Sequence, residues 1–511
     1  MTLAVIIFGG FLLRFYSLYV GQAYTYFAIN DEVTALQYAL GFLAGDQHML
    51  YLGSPALNQG NLPGPLWAML VAGLYKIGGS TAEGAIFGMV ILNTLAIYLV
   101  YRLARVMMPN RYALFSTLLY SFSAWGIYYS AGLYNPFPLA LLGALLFLAL
   151  WQTTQADHSR NIFWVCLLAA GIPQFHMIGI FYYPAILLLL IISPARINRR
   201  YFVAGVLAGI ALYMPYVIGE IQHHWQNTQL MLTGDRHFSA GTLKVISTPI
   251  AMLTNHPGQW AGRGFEDFKQ FGDACFGSYI LLLIVNLISL TLALIVVIRF
   301  MKRLYRSIFS GKMSLRERYQ QHSTTLFTGI LLVLPLLLYT FTGKAYATRY
   351  SIIIFPLLFL LPGLVIQHMA NRSSAWILTR MFLAMTAFNI CMVVIFYNYQ
   401  SLQLKTSSAF MPSFRHLAKI KTSFDSVIGK GQRVEISFSD EIQKLPEGQW
   451  KLYKTIPAYL AIYQNPSPVI NPATRTRRFK VLSADETMKS TRGLIYTSAA
   501  INIIEITHAG D

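Results

Sequence analysis

Runs of roughly 17–25 mostly apolar residues, bounded by polar or basic positions, recur as far as about residue 400 and read as membrane-spanning helices. They fall at about 3–22, 84–107, 112–130, 136–153, 162–176, 178–193, 201–219, 277–298, 324–342, 350–368 and 376–398, about 11 spans in all. The stretch 30–80 is only intermittently apolar. It predicts an amphipathic helix near 32–44 and a proline-led apolar segment, Leu62 to Gly79, that lies in the membrane interface rather than crossing it. Beyond about residue 400 the period changes. Alternation in Arg433–Phe438, Phe479–Leu482, Gly493–Thr497 and Ile501–Ile506 signals short strands, with a helical stretch near 455–463 among proline-rich turns. The pattern predicts an all-α polytopic membrane domain over 1–399 and a small α/β domain over 400–511.

Composition agrees with lipid as the solvent. Of 511 residues, 55% are hydrophobic and only 12% charged, half the charge of an ordinary soluble domain. The 33 Phe and 31 Tyr suit many membrane–water boundaries. Cys166, Cys275 and Cys391 form neither a CxxC pair nor a disulfide framework.

The net charge of +19 invites a nucleic-acid reading, but its distribution argues against one. Residues 400–511 hold 15 of the 39 Lys/Arg and 9 of the 20 Asp/Glu. In the membrane part, one set of connections carries 16 Lys/Arg: those with Arg102, Arg105 and Arg111; Arg160; Arg196, Arg199 and Arg200; Arg299 through Arg318; and Arg372 with Arg380. The opposite set carries seven, and only Asp157 and Glu317 are acidic on the first side. Basic loops stay cytoplasmic, so the N-terminus is expected inside the plasma (inner) membrane. Segments 23–83, 220–276 and 343–349, and the tail, are then outside. The first span has no basic leader and no small-residue cleavage site, which predicts a retained anchor.

Three groups of ionisable residues on the outer side are candidates for chemistry. Asp31-Glu32 opens the first outer loop, just before the predicted helix Val33–Ala44. Such a pair either caps the helix or supplies a general base at the membrane surface. Lys344, Arg349 and Tyr350 share a short outer connection. The two cations either snorkel beside an aromatic belt or cradle a lipid-linked phosphate. Arg14 lies about a turn and a half inside the first span, where a cation needs an interior partner. It either supports Asp31 or Glu32 or snorkels outward.

Other ionisable groups carry less. His223-His224-Trp225, Asp235-Arg236-His237, His256 and Glu266-Asp267 share one loop, but their spacing fits no tight metal motif. No cofactor is therefore assigned, and a divalent metal has no support. His176, alone between two spans, reads as a hydrogen-bonded structural histidine. P-loop, GxGxxG, HExxH and GxSxG motifs are absent.

Taken in order, these residues resemble the GT-C glycosyltransferase superfamily, in its bacterial branch of protein-mannosyltransferase-like and aminoarabinose-transferase-like enzymes. The resemblance covers roughly residues 10–370. It rests on Arg14, Asp31-Glu32, Gly45-Asp46, Leu62-Pro-Gly-Pro-Leu-Trp, Leu74-Tyr-Lys-Ile-Gly-Gly, and Arg349-Tyr350 leading into Phe355-Pro356. It implies a transferase that takes a sugar from a polyprenyl-phosphate carrier and delivers it, with inversion, to a lipid, glycan or protein acceptor outside the membrane. Asp31 would deprotonate or orient the acceptor and Glu32 would support it; Lys344, Arg349 and Tyr350 would hold the carrier phosphate. The chain departs from many relatives at Gln59-Gly60-Asn61-Leu62, which lacks their basic residue, at Gly64 within the proline pair, and at Asn135, where some carry an acid.

Two other classes remain open: a lipid-intermediate flippase or secondary transporter, and a non-catalytic envelope assembly protein. Transporters carry ionisable groups near mid-span, whereas here those groups gather at the outer surface.

The loop charges yield a first prediction. A reporter fused after residue 400 should be active only outside the cytoplasm; cytoplasmic activity would mean that the span count is off by one.

Overall fold

The computed structural model describes residues 2–21, 29–46, 50–55, 60–233, 242–254, 265–309, 313–342, 346–406, 420, 422–424, 433–438, 476–483, 494–497 and 501–506. Among these, seven helical stretches are long and apolar enough to cross a bilayer: Leu3–Val20, Ala82–Met107, Arg199–Gln222, Tyr279–Phe309, Leu315–Thr340, Thr348–His368 and Ser373–Tyr399. Three shorter apolar helices, Leu139–Gln155, Ile162–Phe175 and Met177–Ile192, coincide with further expected spans.

The expected span 112–130 is broken. Helix Asn110–Ser121 stops, and Ser123 starts the short helix Ala124–Tyr128 by accepting the Gly126 N–H on its Oγ at 3.0 Å. A serine that offers the backbone a local alternative interrupts a helix that apolar content alone would continue. The segment Leu62 to Gly79 contributes helix Leu66–Ile77, 12 residues and about 18 Å long. It buries Trp67, Val71 and Tyr75 and leaves Ile77 exposed.

Helix exteriors are as apolar as the interior. Phe8, Leu187, Leu207 and Leu287 are all exposed, as lipid-facing positions are where hydrocarbon is the solvent. Burial therefore marks close packing here, and it peaks in the stretch Thr348–His368, 94% of whose apolar window is buried. Small residues let neighbours approach this central stretch. A Cβ at Gly143 would lie 2.4 Å from the Ile353 carbonyl oxygen, and one at Gly363 would lie 2.2 Å from Ser116 Oγ. The stretch begins as a 3-10 turn over Thr348–Ile354. That turn brings Arg349 to the end of the most tightly packed element.

The tail strands match the alternation in the sequence: β1 Arg433–Phe438, β2 Thr476–Ser483, β3 Leu494–Thr497 and β4 Ile501–Ile506. They form one sheet in the order β1-β2-β4-β3. β1 and β2 are parallel, with Ile436 opposite Phe479; β4 runs antiparallel to β2 and β3. A parallel pair needs a crossover, and the expected helix near 455–463 lies outside the described residues.

Packing at Gly143 generates a stability prediction. Gly143→Val forces a side chain onto a backbone carbonyl and should cost about 1–3 kcal/mol in a detergent melting experiment. Gly73→Ala meets nothing within 4 Å and should stay within about 0.5 kcal/mol of the parent. Equal responses would contradict the packing.

Candidate active site

The acidic pair sits differently from the sequence expectation. Helix Ile29–Ala44 starts two residues before Asp31, so both acids occupy its first turn, where carboxylates suit the helix dipole. The Asp31 side chain lies outside the described residues. Glu32 is not at the surface: it is 3% exposed, and its Oε1 accepts the Leu133 N–H at 3.0 Å. Val33, Leu36 and Ala39 on the same helix are buried, and they draw the first turn inward. A buried carboxylate needs hydrogen-bond donors, and the Leu133 amide supplies one.

Leu133 belongs to the connection between helices Ala124–Tyr128 and Leu139–Gln155. Consecutive residues of this connection reach three elements. Leu133 holds Glu32. The Tyr134 ring lies 5.5 Å from the Arg349 guanidinium carbon, a cation–π contact. Asn135 donates through Nδ2 to the Phe175 carbonyl at 2.9 Å. The asparagine that stands where some GT-C proteins carry an acid thus ties the connection to the end of helix Ile162–Phe175.

Arg349 lies between two rings, since its guanidinium carbon is also 5.5 Å from the centre of Tyr350. Among the described residues it has no carboxylate partner, which leaves its charge free for an anion. The Tyr350 ring is 4.9 Å from His176 and 5.8 Å from Tyr339, and Tyr346 lies 5.1 Å from Tyr339. Burial pushes the Tyr346 hydroxyl up, so it keeps its proton and shares a 2.7 Å bond with Ser351. His176 Nδ1 accepts the Ile178 N–H at 3.2 Å. An accepting Nδ1 carries no proton, so the ring is neutral. His176 is structural, as expected, and it also packs against the candidate site. Lys344 lies outside the described residues.

Arg14 does not snorkel. It is fully buried, and its Nη1 donates to the carbonyls of Gly10 at 3.0 Å and Ser121 at 2.8 Å. Its guanidinium carbon sits 5.8 Å from the Tyr120 ring centre. Among the described residues its partners do not include Glu32. It fastens the first span to the end of helix Asn110–Ser121.

Described parts of segments 23–83 and 220–276 interlock through polar side chains. Asn61, where many relatives are expected to be basic nearby, donates through Nδ2 to Tyr38 Oη at 2.7 Å and to the Gly53 carbonyl at 2.8 Å. Its N–H donates to Asn227 Oδ1 at 2.6 Å, and Asn227 Nδ2 returns a bond to the Asn61 carbonyl at 3.1 Å. Burial pushes the Tyr38 hydroxyl up, partly offset by Asn61. Buried Glu220 accepts the Thr228 N–H at 2.9 Å, and the His223 ring stacks 5.4 Å from Tyr51. Gly64, with φ +120°, lies against Gln174, where a Cβ would sit 2.3 Å from Oε1. The glycine inside the proline pair is therefore required by both backbone and space. Among the described residues no group of three His, Cys, Asp or Glu could hold a metal. Asp235, Arg236, His237 and His256 lie outside the described residues, as do the side chains of Glu266 and Asp267.

Tyr134, Tyr339 and the Leu133 amide escape a reading of the sequence. Backbone donors leave no signal in residue identity, and tyrosines are common at every membrane boundary of this chain. The available signal was the pairing of Tyr134 with Asn135-Pro136 at the start of a span.

The comparisons with known proteins bear on the fold. Residues 62–218 match the dolichyl-phosphate-mannose-protein mannosyltransferase family. No curated protein matches the sequence. Among solved structures, the chain is similar to ArnT from Cupriavidus metallidurans bound to undecaprenyl phosphate, with a TM-score of 0.55 at 11% identity, over 99% of this chain and 98% of that one. The apo state of that ArnT gives 0.53 at 11% identity, over 93% of each chain. The chain therefore shares the fold of this ArnT, and its segment 62–218 is similar to the mannosyltransferase family.

Proposed function

We propose that this protein moves a sugar from a polyprenyl-phosphate carrier to an acceptor on the outer face of the membrane, with inversion at the anomeric carbon. One observation carries the reading. Glu32 and Arg349, 317 positions apart in sequence, are gripped by the adjacent residues Leu133 and Tyr134. Adjacent Cα atoms are about 3.8 Å apart, so one short connection links the acidic helix start to the cation. The undecaprenyl phosphate bound by the similar ArnT supports a lipid-phosphate carrier.

The reaction then follows from charge. Asp31 takes the proton of the acceptor hydroxyl or amine, and the acceptor attacks the anomeric carbon from the face opposite the phosphate. The bond from that carbon to the phosphate oxygen breaks, and the leaving phosphate carries its charge onto Arg349, with Lys344 and Tyr350 beside it. Glu32, buried and already bonded to Leu133, supports Asp31 rather than acting as the base. Arg14 braces the first span that leads to the pair. The acceptor is a glycolipid, a polysaccharide or a protein.

Arg349→Ala should weaken polyprenyl-phosphate binding by about 10- to 100-fold, as expected for removing one charged partner from a partly dry site. Unchanged carrier affinity would return Arg349 to an anchoring role.

Asp31→Asn should leave folding near normal, since losing one first-turn charge costs about 0.3–1 kcal/mol of interaction with the helix dipole. Transfer should fall by at least about 100-fold, because general-base catalysis is worth 10²–10⁴ in rate. Glu32→Gln keeps an oxygen for the Leu133 N–H and should be milder. If Glu32→Gln is inactive and Asp31→Asn active, the roles swap; if both transfer normally, a transport or assembly role replaces the enzyme.

A further inference from the structure

Far from the acidic pair, helices Tyr279–Phe309 and Ser373–Thr406 enclose a groove of about 490 Å³, lined by Ile284, Leu287, Ile288, Ile377 and Met381 and closed by Arg299. From Ile284 to Arg299 the groove runs about 22 Å at 1.5 Å per residue. Its walls are almost wholly apolar, and its one charged lining residue sits at its end.

Arg299 is not alone. Its Nη1 rests on Met369 Sδ, a weak acceptor. Arg303, Arg306 and Arg372 all lie within electrostatic reach of His368, next to Met369. Among the described residues none of these four arginines has a carboxylate partner. The two acids on this side of the membrane part are already engaged: Asp157 Oδ1 accepts the Arg196 N–H at 2.7 Å, and Glu317 Oε2 accepts from Ser314 N–H at 2.7 Å and Oγ at 2.8 Å.

Arg299 at the groove's end, with Arg303, Arg306 and Arg372 around neighbouring His368, makes a positive field at that end that attracts an anion. A soluble anion would satisfy the arginines and leave the groove to disordered hydrocarbon. A neutral lipid would fill the groove and leave the arginines unpaired. A lipid with an anionic phosphate headgroup and an acyl chain satisfies both. We propose that this groove and its arginines form a binding site for one anionic phospholipid, with the phosphate on Arg299, Arg303 and Arg372 and an acyl chain along Ile288 and Ile377. The site does not depend on the outer transfer reaction.

The test is lipid titration of the full-length purified protein, read by native mass spectrometry with phosphatidylglycerol against phosphatidylcholine. The parent should retain one phosphatidylglycerol in preference to phosphatidylcholine. Each arginine near an anionic headgroup is worth about fivefold, so Arg299→Gln with Arg303→Gln and Arg372→Gln should lower phosphatidylglycerol affinity on the order of 100-fold. Phosphatidylcholine binding should not change. Ile288→Trp keeps every charge but fills the groove, and should weaken phosphatidylglycerol by about 10-fold through lost chain burial. Equal retention of both lipids by the parent would overturn the site, as would full retention by Ile288→Trp. A polyprenyl phosphate held in this groove and lost in the same variants would overturn the phospholipid assignment. Transfer activity measured alongside separates this result from the fate of the outer site.

Discussion

The hydrogen bond from the Leu133 amide to the Glu32 carboxylate is the constraint on which the rest of the candidate site depends. A carboxylate this buried costs several kcal/mol unless a donor meets it. Meeting it fixes the acidic helix start against the connection after Tyr128. Because Tyr134 follows Leu133, the same bond also fixes one wall of the space around Arg349. The donor is backbone, so the bond is lost only by changing Glu32 itself or by placing proline at position 133. The cation is held by rings rather than by a counter-ion, and its charge stays available.

Around that bond the fold separates rigidity from chemistry. The stretch Thr348–His368 is packed on all sides and delivers Arg349 at its first turn. Arg14 spends its charge on two carbonyls and the Tyr120 ring, deep in the first span. Its position near the acidic pair in sequence suggests a direct partnership, but the structure gives it a bracing role. The Asn61–Asn227 pair ties the first outer loop to the helix after Gln222.

Much of this was legible in the sequence because lipid enforces a simple rule: backbone groups must be satisfied within each span. Span positions followed from apolar length, and the four tail strands from alternation. The break at Ser123 was missed because apolar content does not report a side chain that caps a new helix. Glu32 looked like a surface residue because its neighbours Asn30 and Asp31 are polar; Val33, Leu36 and Ala39, on the buried face, carried the opposite signal. The tyrosines around Arg349 come from separate parts of the chain, and only folding collects them. The arginines near His368 read as an orientation signal in the sequence, but the groove beside them could not be seen without the packing of two distant helices.

The central claim is that Arg349, caged by Tyr134 and Tyr350, receives the phosphate of a lipid carrier. The most direct measurement is solid-state NMR of the reconstituted protein with bound polyprenyl phosphate, detecting magnetisation transfer between phosphorus and ¹⁵N-labelled arginine guanidinium groups. A charge-assisted hydrogen bond places phosphorus within about 4 Å of the nitrogen. The account predicts one strong correlation between an arginine and the phosphate-monoester resonance of the carrier, resolved from the diester phosphorus of membrane lipid, that disappears in Arg349→Lys. A strong arginine–carrier correlation that survives the substitution, or none in the parent, would contradict it.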